Sequence, residues 1–228
     1  MWISKIKNFV VEVIFPKSCL ECRKEGDYLC QDCLAVLDIL SIHQISRTKN
    51  LNDLYFAASY SSPLIKKLIQ SFKYEPFIKE LAKTLSSLII NHFQLLEKQP
   101  IFPNHVLIPV PLRIKRLKWR GFNQSEEIGK ELAKYLKLPL SNNVLIKTKE
   151  TPAQVELDGD ERRENLKKVF VVENKNLING KKILLIDDVY TTGATMEECA
   201  MVLKTAGAKE VIGVAVARAK PEEDKISS

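Results

Sequence analysis

The chain has 228 residues, 45% of them hydrophobic and 28% charged, with a formal net charge of +7 at pH 7. That length supplies the core of one α/β domain plus a small appendage. No apolar run approaches the ~20 residues of a membrane-spanning helix, so an integral membrane segment is not expected and a cytoplasmic protein is. The basic balance favours anionic partners such as nucleotides, pyrophosphate or nucleic acid.

In residues 2–15, Trp2, Ile3, Ile6, Phe9, Val10, Val13 and Ile14 recur at helical spacing. Lys5 and Lys7 precede an apolar stretch, as in a signal peptide, but Glu12 interrupts it and no small-residue cleavage site follows. The pattern predicts an amphipathic helix that packs on the main domain and ends before Pro16, with membrane-surface attachment as the weaker alternative. Two Cys-x-x-Cys pairs follow, Cys19 with Cys22 and Cys30 with Cys33, with Gly26 as a turn between them. Each pair can chelate one tetrahedral ion, the closed arrangement of structural zinc. The rivals are two disulfides, a redox motif or an iron–sulfur cluster. An intracellular setting disfavours the first, the second needs no second pair, and cluster spacings differ. Cys19, Cys22, Cys30 and Cys33 are therefore the expected ligands of a structural Zn²⁺, and Cys199 reads as a small buried hydrophobe.

The domain division expected is 1–45 for the N-terminal helix and cysteine module and 46–228 for the larger domain. Leu34 to Ile45 reads as a helix leaving the module, residues 48–50 as a linker, and Leu54 to Tyr60 as the first strand. Pro63 can start a helix with Leu64, Ile65, Leu68, Ile69 and Phe72 on its apolar face. A second helix after Pro76 carries Ile78, Leu81, Leu85, Leu88 and Ile89. Lys66, Lys67 and Lys73 read mostly as a solvated face, although Lys73 beside Tyr74 is placed to reach an anion. His43, His92 and His105 lack ligand-like spacing and read as surface or capping residues.

After a strand over His105 to Val110, residues 111–125 interleave Arg113, Lys115, Arg116, Lys118 and Arg120 with Trp119 and Phe122. Basic and aromatic residues together suit phosphate binding with base stacking on single-stranded nucleic acid; a solvated basic loop is the plainer alternative. Gly121 and Asn123-Gln124-Ser125 mark a helix entrance at the strand end where α/β folds place ligands. Residues 147–168 are polar, contain Pro152 and Gly159, and have little apolar periodicity, as in a loop. Strands over Val169 to Val172 and Val211 to Val216 and a turn at Asn179-Gly180 complete the pattern, and a polar tail follows.

The richest stretch is Lys181 to Thr195. Ile183 to Ile186 form a short β-branched run, a strand buried on both faces. Asp187 and Asp188 stand at its carboxyl end. Thr191, Thr192, Gly193, Ala194 and Thr195 then turn into a helix over Met196 to Thr205. Small hydroxyl residues with a Gly let backbone N–H groups converge on a phosphate at a helix N-terminus. Two acids beside such a cradle make sense as partners of sugar hydroxyls or of a divalent cation. The ligand implied is a sugar phosphate with Mg²⁺.

Ile183 to Thr195 resembles the signature of type I phosphoribosyltransferases, whose Thr/Gly-rich turn binds the 5-phosphate of phosphoribosyl pyrophosphate. With PVPL, RGFNQ, the Thr151-Pro-Ala-Gln154 segment with Leu157, Arg162 and Asn165, and the four cysteines, the chain from Phe15-Pro16 to about Ala217 resembles the ComF family. The resemblance implies a type I phosphoribosyltransferase-like parallel sheet flanked by helices behind a small zinc module. It implies phosphoribosyl pyrophosphate with Mg²⁺ as ligand. Asp187 and Asp188 would hold ribose hydroxyls or the metal, and Thr191 to Thr195 the 5-phosphate. Residues 111–125 become the pyrophosphate loop, with Arg113, Arg116 and Arg120 facing the diphosphate and a DNA backbone. Gln154, Arg162 and Asn165 would fold down with the closing loop. The family is linked to single-stranded DNA and to uptake of transforming DNA, which implies uptake machinery such as a helicase as partner. The alternative is an active transferase passing phosphoribose to an unidentified acceptor. A 6-oxopurine is disfavoured, because the Asp base of those salvage enzymes is replaced by Thr191. No catalytic residue is assigned.

Overall fold

The computed structural model describes residues 17–43, 48–148 and 169–219. The amphipathic helix expected over 2–15, the polar tail, and most of the closing loop with Gln154, Arg162 and Asn165 lie outside the described residues.

The strands are β1 (Asp53–Ser59), β2 (His105–Pro109), β3 (Leu145–Lys147), β4 (Phe170–Val172), β5 (Lys182–Tyr190) and β6 (Glu210–Arg218). Four of them form a parallel sheet in the order β1-β6-β5-β2, while β3 and β4 pair antiparallel in a separate ribbon. The helices are α1 (Gln31–Ala35), α2 (Pro63–Lys73), α3 (Leu81–Leu95), α4 (Ile114–Arg120), α5 (Gln124–Leu136) and α6 (Ala194–Thr205). An all-parallel sheet is stable only when both faces are covered. Leu184, Ile186, Val214 and Val216 pack in one cluster with Leu68 and Phe72 of α2, Leu85 and Ile89 of α3, and Ile128 of α5. Ile183, Leu185, Val211 and Ala215 pack in the other with Met196, Cys199 and Leu203 of α6 and with Leu145 and Phe170 of the ribbon. This explains the unbroken apolar run of β5: alternate side chains enter different cores. Cys199 is fully buried, as expected of a small hydrophobe.

The cysteine module sits on the first of these cores. Cys19, Leu29, Cys30 and Cys33 belong to the same cluster as α2 and α3. No helix among the described residues is long and apolar enough to cross a membrane.

Three expectations need correction. The helix expected over Leu34 to Ile45 is only α1, ending at Ala35. Beyond it the chain runs beside β1, where Leu40 donates its N–H to Ala57 O at 2.9 Å, and the Leu40 carbonyl meets His92 Nδ1 at 2.6 Å. Tertiary partners for the Leu40 peptide groups outcompete a local helix. The helix after Pro76 starts at Leu81, not Ile78, because Phe77 has φ 54° and the Ile78 N–H turns back to Ser71 O. His92 and His105 are core residues rather than surface ones, 1% and 2% exposed. Burial lowers the His92 pKa, against the opposing contact with the Leu40 carbonyl.

Candidate functional site

The register of the sheet opens a notch at the carboxyl end of β5. β2 follows β5 only as far as Pro109 opposite Ile186, whereas β6 continues to Arg218 opposite Tyr190. Asp187 and Asp188 therefore lie within β5, two residues short of its end at Tyr190, past the end of one neighbour and supported by the other. This is where an open parallel sheet receives ligands.

Three helix ends close around the two acids. Asn123 caps α5: its Oδ1 accepts from Ser125 N at 3.1 Å, and its Nδ2 donates to Val110 O at 3.1 Å. An Asn at this position satisfies an orphan N–H of the first turn and here also fastens the helix to the end of β2. The next turn then delivers Ser125, whose Oγ donates to Asp187 Oδ1 at 2.9 Å. From the last turn of α2, Lys73 Nζ comes within 2.9 Å of Asp188 Oδ2. Burial works against the Lys73 ammonium, but Asp188 and then Asp187 outweigh it, and its pKa is raised. From the end of α4, Arg120 is buried and donates to Gln124 Oε1. Burial lowers the Arg120 pKa, opposed by the nearby Asp188. Asp187 is pushed up to about 7 by burial and by the neighbouring Asp188.

The Thr/Gly turn follows at once. Thr191, Thr192, Ala194 and Thr195 are exposed while Gly193 is buried. Gly193 has φ 81°, and a Cβ there would collide with the hydroxyl and ring of Tyr190. The left-handed conformation and the close tyrosine both demand glycine. Gly193→Ala is expected to displace the Tyr190 ring, lower stability by about 1–3 kcal/mol and weaken binding of an anion at the turn. Thermal melting with and without inorganic phosphate checks this.

The basic segment divides in two. Arg113, Lys115, Arg116, Lys118 and Trp119 are exposed, whereas Arg120 and Phe122 are buried. Phe122 packs on Phe72 of α2 with ring centroids 5.2 Å apart, and Trp119 meets Phe77 edge-on at 4.8 Å. Arg120 thus faces the acids from inside, and Arg113 and Arg116 stand outside on a largely exposed helix. The segment expected as a loop is α4 followed by the cap of α5. Lys147, at the end of β3, lies near that outer pair: burial first, then Arg113 and Arg116, lower its pKa. It also stands over the Phe170 ring at 4.6 Å. The sequence reading missed Lys147 as a member of this cluster and gave Lys73 no partner. Both contacts join residues distant in the chain, so no local pattern marks them.

The four cysteines do converge. The Sγ atoms of Cys19, Cys22, Cys30 and Cys33 lie within 4.8 Å of one another, and Cys22 and Cys30 are 3.5 Å apart. A disulfide requires ~2.05 Å. Four thiolates at ~2.3 Å around a tetrahedral ion are separated by roughly 3.8 Å, so the donor set fits a four-sulfur metal site. The local chain builds it: the Arg23 N–H returns to Cys19 O at 3.0 Å, and the Leu34 N–H to Cys30 O at 2.9 Å. Cys30 and Cys33 are thereby set on the first turn of α1.

Residues 123–227 match the phosphoribosyl transferase domain family. Competence protein F of Haemophilus influenzae is 29% identical over 204 residues, covering 88% of this chain and 84% of that protein. DNA utilization protein YhgH of Escherichia coli O157:H7 is 33% identical over 158 residues, covering 68% of this chain and 66% of its own length. Competence protein ComFC of Streptococcus pneumoniae is 34% identical over 110 residues, 48% of this chain and 46% of that one. With its cysteine cluster in front of a phosphoribosyl transferase domain, the chain belongs to the family of competence protein F.

Proposed function

We propose that the protein binds phosphoribosyl pyrophosphate with Mg²⁺ together with single-stranded DNA, and acts in the uptake of transforming DNA on the cytoplasmic side. The observation that carries the ligand reading is the notch at the end of β5. There two carboxylates, Ser125 and the Thr/Gly turn stand side by side. In this reading Asp187 and Asp188 meet the ribose hydroxyls or the magnesium ion. Thr191, Thr192, Gly193, Ala194 and Thr195 hold the 5-phosphate, with the first turn of α6 behind them. Arg120 faces the diphosphate from inside and Arg113 and Arg116 from outside. Magnesium, as a hard cation with oxygen ligands, neutralises diphosphate charge when bound. A structural Zn²⁺ is the ion proposed for Cys19, Cys22, Cys30 and Cys33, and residues 17–43 act as a brace for the larger unit.

The DNA reading rests on α4 and on the relatives named for competence and DNA utilization. Trp119 is 55% exposed on the segment that carries Arg113, Lys115, Arg116 and Lys118, and Tyr74, within electrostatic reach of Arg120, is 53% exposed. That combination suits a backbone track with stacking platforms. DNA-uptake machinery such as a helicase is the partner proposed for this role.

The second reading, transfer of phosphoribose to an acceptor other than a 6-oxopurine, is favoured by the paired acids beneath the sugar. They can stabilise positive charge at the anomeric carbon as the diphosphate leaves.

Calorimetric titration with phosphoribosyl pyrophosphate and Mg²⁺ tests the first reading. Binding by wild type and its loss in Asp187→Ala/Asp188→Ala are expected. Single-stranded DNA affinity should fall steeply with salt and by roughly 1–3 kcal/mol in Trp119→Ala. No titratable binding of the sugar ligand by folded protein sinks the ligand reading. Release of pyrophosphate on adding candidate acceptors marks the transferase.

A further inference from the structure

The two acids are not equivalent, and Lys73 is the reason. Asp188 Oδ1 accepts the Val189 N–H at 2.8 Å, and its buried Oδ2, which accepts no aligned hydrogen bond, is held by the Lys73 ammonium as an ion pair at 2.9 Å. Both oxygens are engaged by the protein. Asp187 Oδ1 takes the Ser125 hydroxyl and the Asp188 N–H, each at 2.9 Å. No hydrogen bond or ion pair engages Asp187 Oδ2 among the described residues. We infer that Lys73 is the resident counter-ion of the acid pair: it neutralises Asp188 from within, leaves Asp187 Oδ2 as the ligand-facing oxygen, and makes a protein-bound divalent ion unnecessary. A divalent ion then reaches this site only with a ligand carrying its own diphosphate. The inference rests on the sugar-phosphate reading for what Asp187 binds, but not for what Lys73 does.

Charge and geometry support this division. Two carboxylates are matched by two cations, Lys73 and Arg120, both within electrostatic reach of Asp188. A Mg²⁺ entering alone would add positive charge to a balanced pocket. It would also have to dislodge an ammonium from a buried oxygen while losing part of its own hydration shell. An ion travelling with diphosphate brings its own neutralisation. The ammonium is held from behind as well: Leu64, Ile65, Leu68, Ile69 and Phe72 anchor α2 in the core. The N–H of Tyr74 closes the last turn on Gln70 O at 2.8 Å, so the root of Lys73 is fixed.

Two probes test the inference on the full chain with its cysteine site loaded. The first is Mn²⁺ binding without any sugar ligand, followed by electron paramagnetic resonance. Wild type is expected to show no saturable site at the acids, Lys73→Met to open one, and Lys73→Met/Asp188→Asn to close it again. Lys73→Arg, which keeps the charge, is expected to behave like wild type and separates loss of charge from loss of packing. The second probe is ribose 5-phosphate, which has no diphosphate. Its affinity in wild type is expected to be the same with Mg²⁺ and with no divalent ion added, and to fall tenfold or more in Lys73→Met and in Asp187→Asn. Saturable Mn²⁺ binding by wild type that disappears in Asp188→Asn overturns the inference, as does a Lys73→Met protein matching wild type in the Mn²⁺ measurement. If the Mn²⁺ results are as expected but wild type does not bind ribose 5-phosphate, the sugar-phosphate reading fails and the counter-ion role stands.

Discussion

Replacing Cys30 with Ser, or stripping the proposed zinc ion with a chelator, is expected to lower the melting temperature of the whole chain rather than loosen residues 17–35 alone. Cys19, Cys30 and Cys33 are 0%, 7% and 8% exposed and share a core with Leu64, Leu68 and Leu85 of α2 and α3. Structural zinc contributes roughly 10–16 kcal/mol in isolated finger peptides. Here the surrounding core stays partly folded without it, so a loss on the order of 5 kcal/mol is expected. For a chain of this size that corresponds to about 10–20 °C. Calorimetry with parallel metal analysis checks it. A domain transition unchanged after quantitative metal loss would show the module to be an appendage. Cys199→Ala is the control: that thiol lies in the opposite core, and its replacement leaves metal content intact while costing about 1–2 kcal/mol of packing. The same loss should reach the ligand site, because the helix braced by the module ends in Lys73.

How much of this was legible follows from which contacts are local. The β5 strand, the two acids and the Thr/Gly turn form one continuous stretch, so period and residue type disclose them together. The Cys-x-x-Cys pairs are likewise self-announcing, and the cap at Asn123 follows from the residue type. The helix expected beyond Leu34 failed because the Leu40 peptide groups bond Ala57 and His92 rather than their own neighbours, long-range partners that periodicity over so short a run does not disclose. Arg113, Arg116 and Arg120 look alike in sequence, yet the helical turn of α4 buries only the last. Lys73 was hidden most thoroughly: its partner Asp188 stands far along the chain, and the two meet only because α2 and β5 both end at the notch. A lysine in the last turn of an amphipathic helix otherwise looks like ordinary solvated charge.

The burial that makes the acid pair useful should also be measurable as a cost. Asp187 is held at about 7 in the folded chain, against 3.8 for an unperturbed aspartate, by burial and by Asp188. Between those two values the folded state binds more protons than the unfolded state. The contribution of this group is therefore fully present below pH ~4, declines as pH rises, and is gone once pH passes about 7. Each pKa unit corresponds to roughly 1.4 kcal/mol, so the decline amounts to a few kcal/mol. Asp187→Asn removes the ionisation and keeps a group able to accept from Ser125. The variant is accordingly expected to gain stability relative to wild type steadily from pH 4 to pH 7 and then hold a constant advantage, measured by denaturant melts across that range. A constant difference at every pH would mean that Asp187 titrates as an ordinary surface acid. The stabilised variant should meanwhile bind sugar phosphate less well, because with its oxygen accepting from Ser125 it turns an amide NH2, not a carboxylate oxygen, towards the ligand. Stability gained where binding is lost is the relation expected of a charge buried for function rather than for folding.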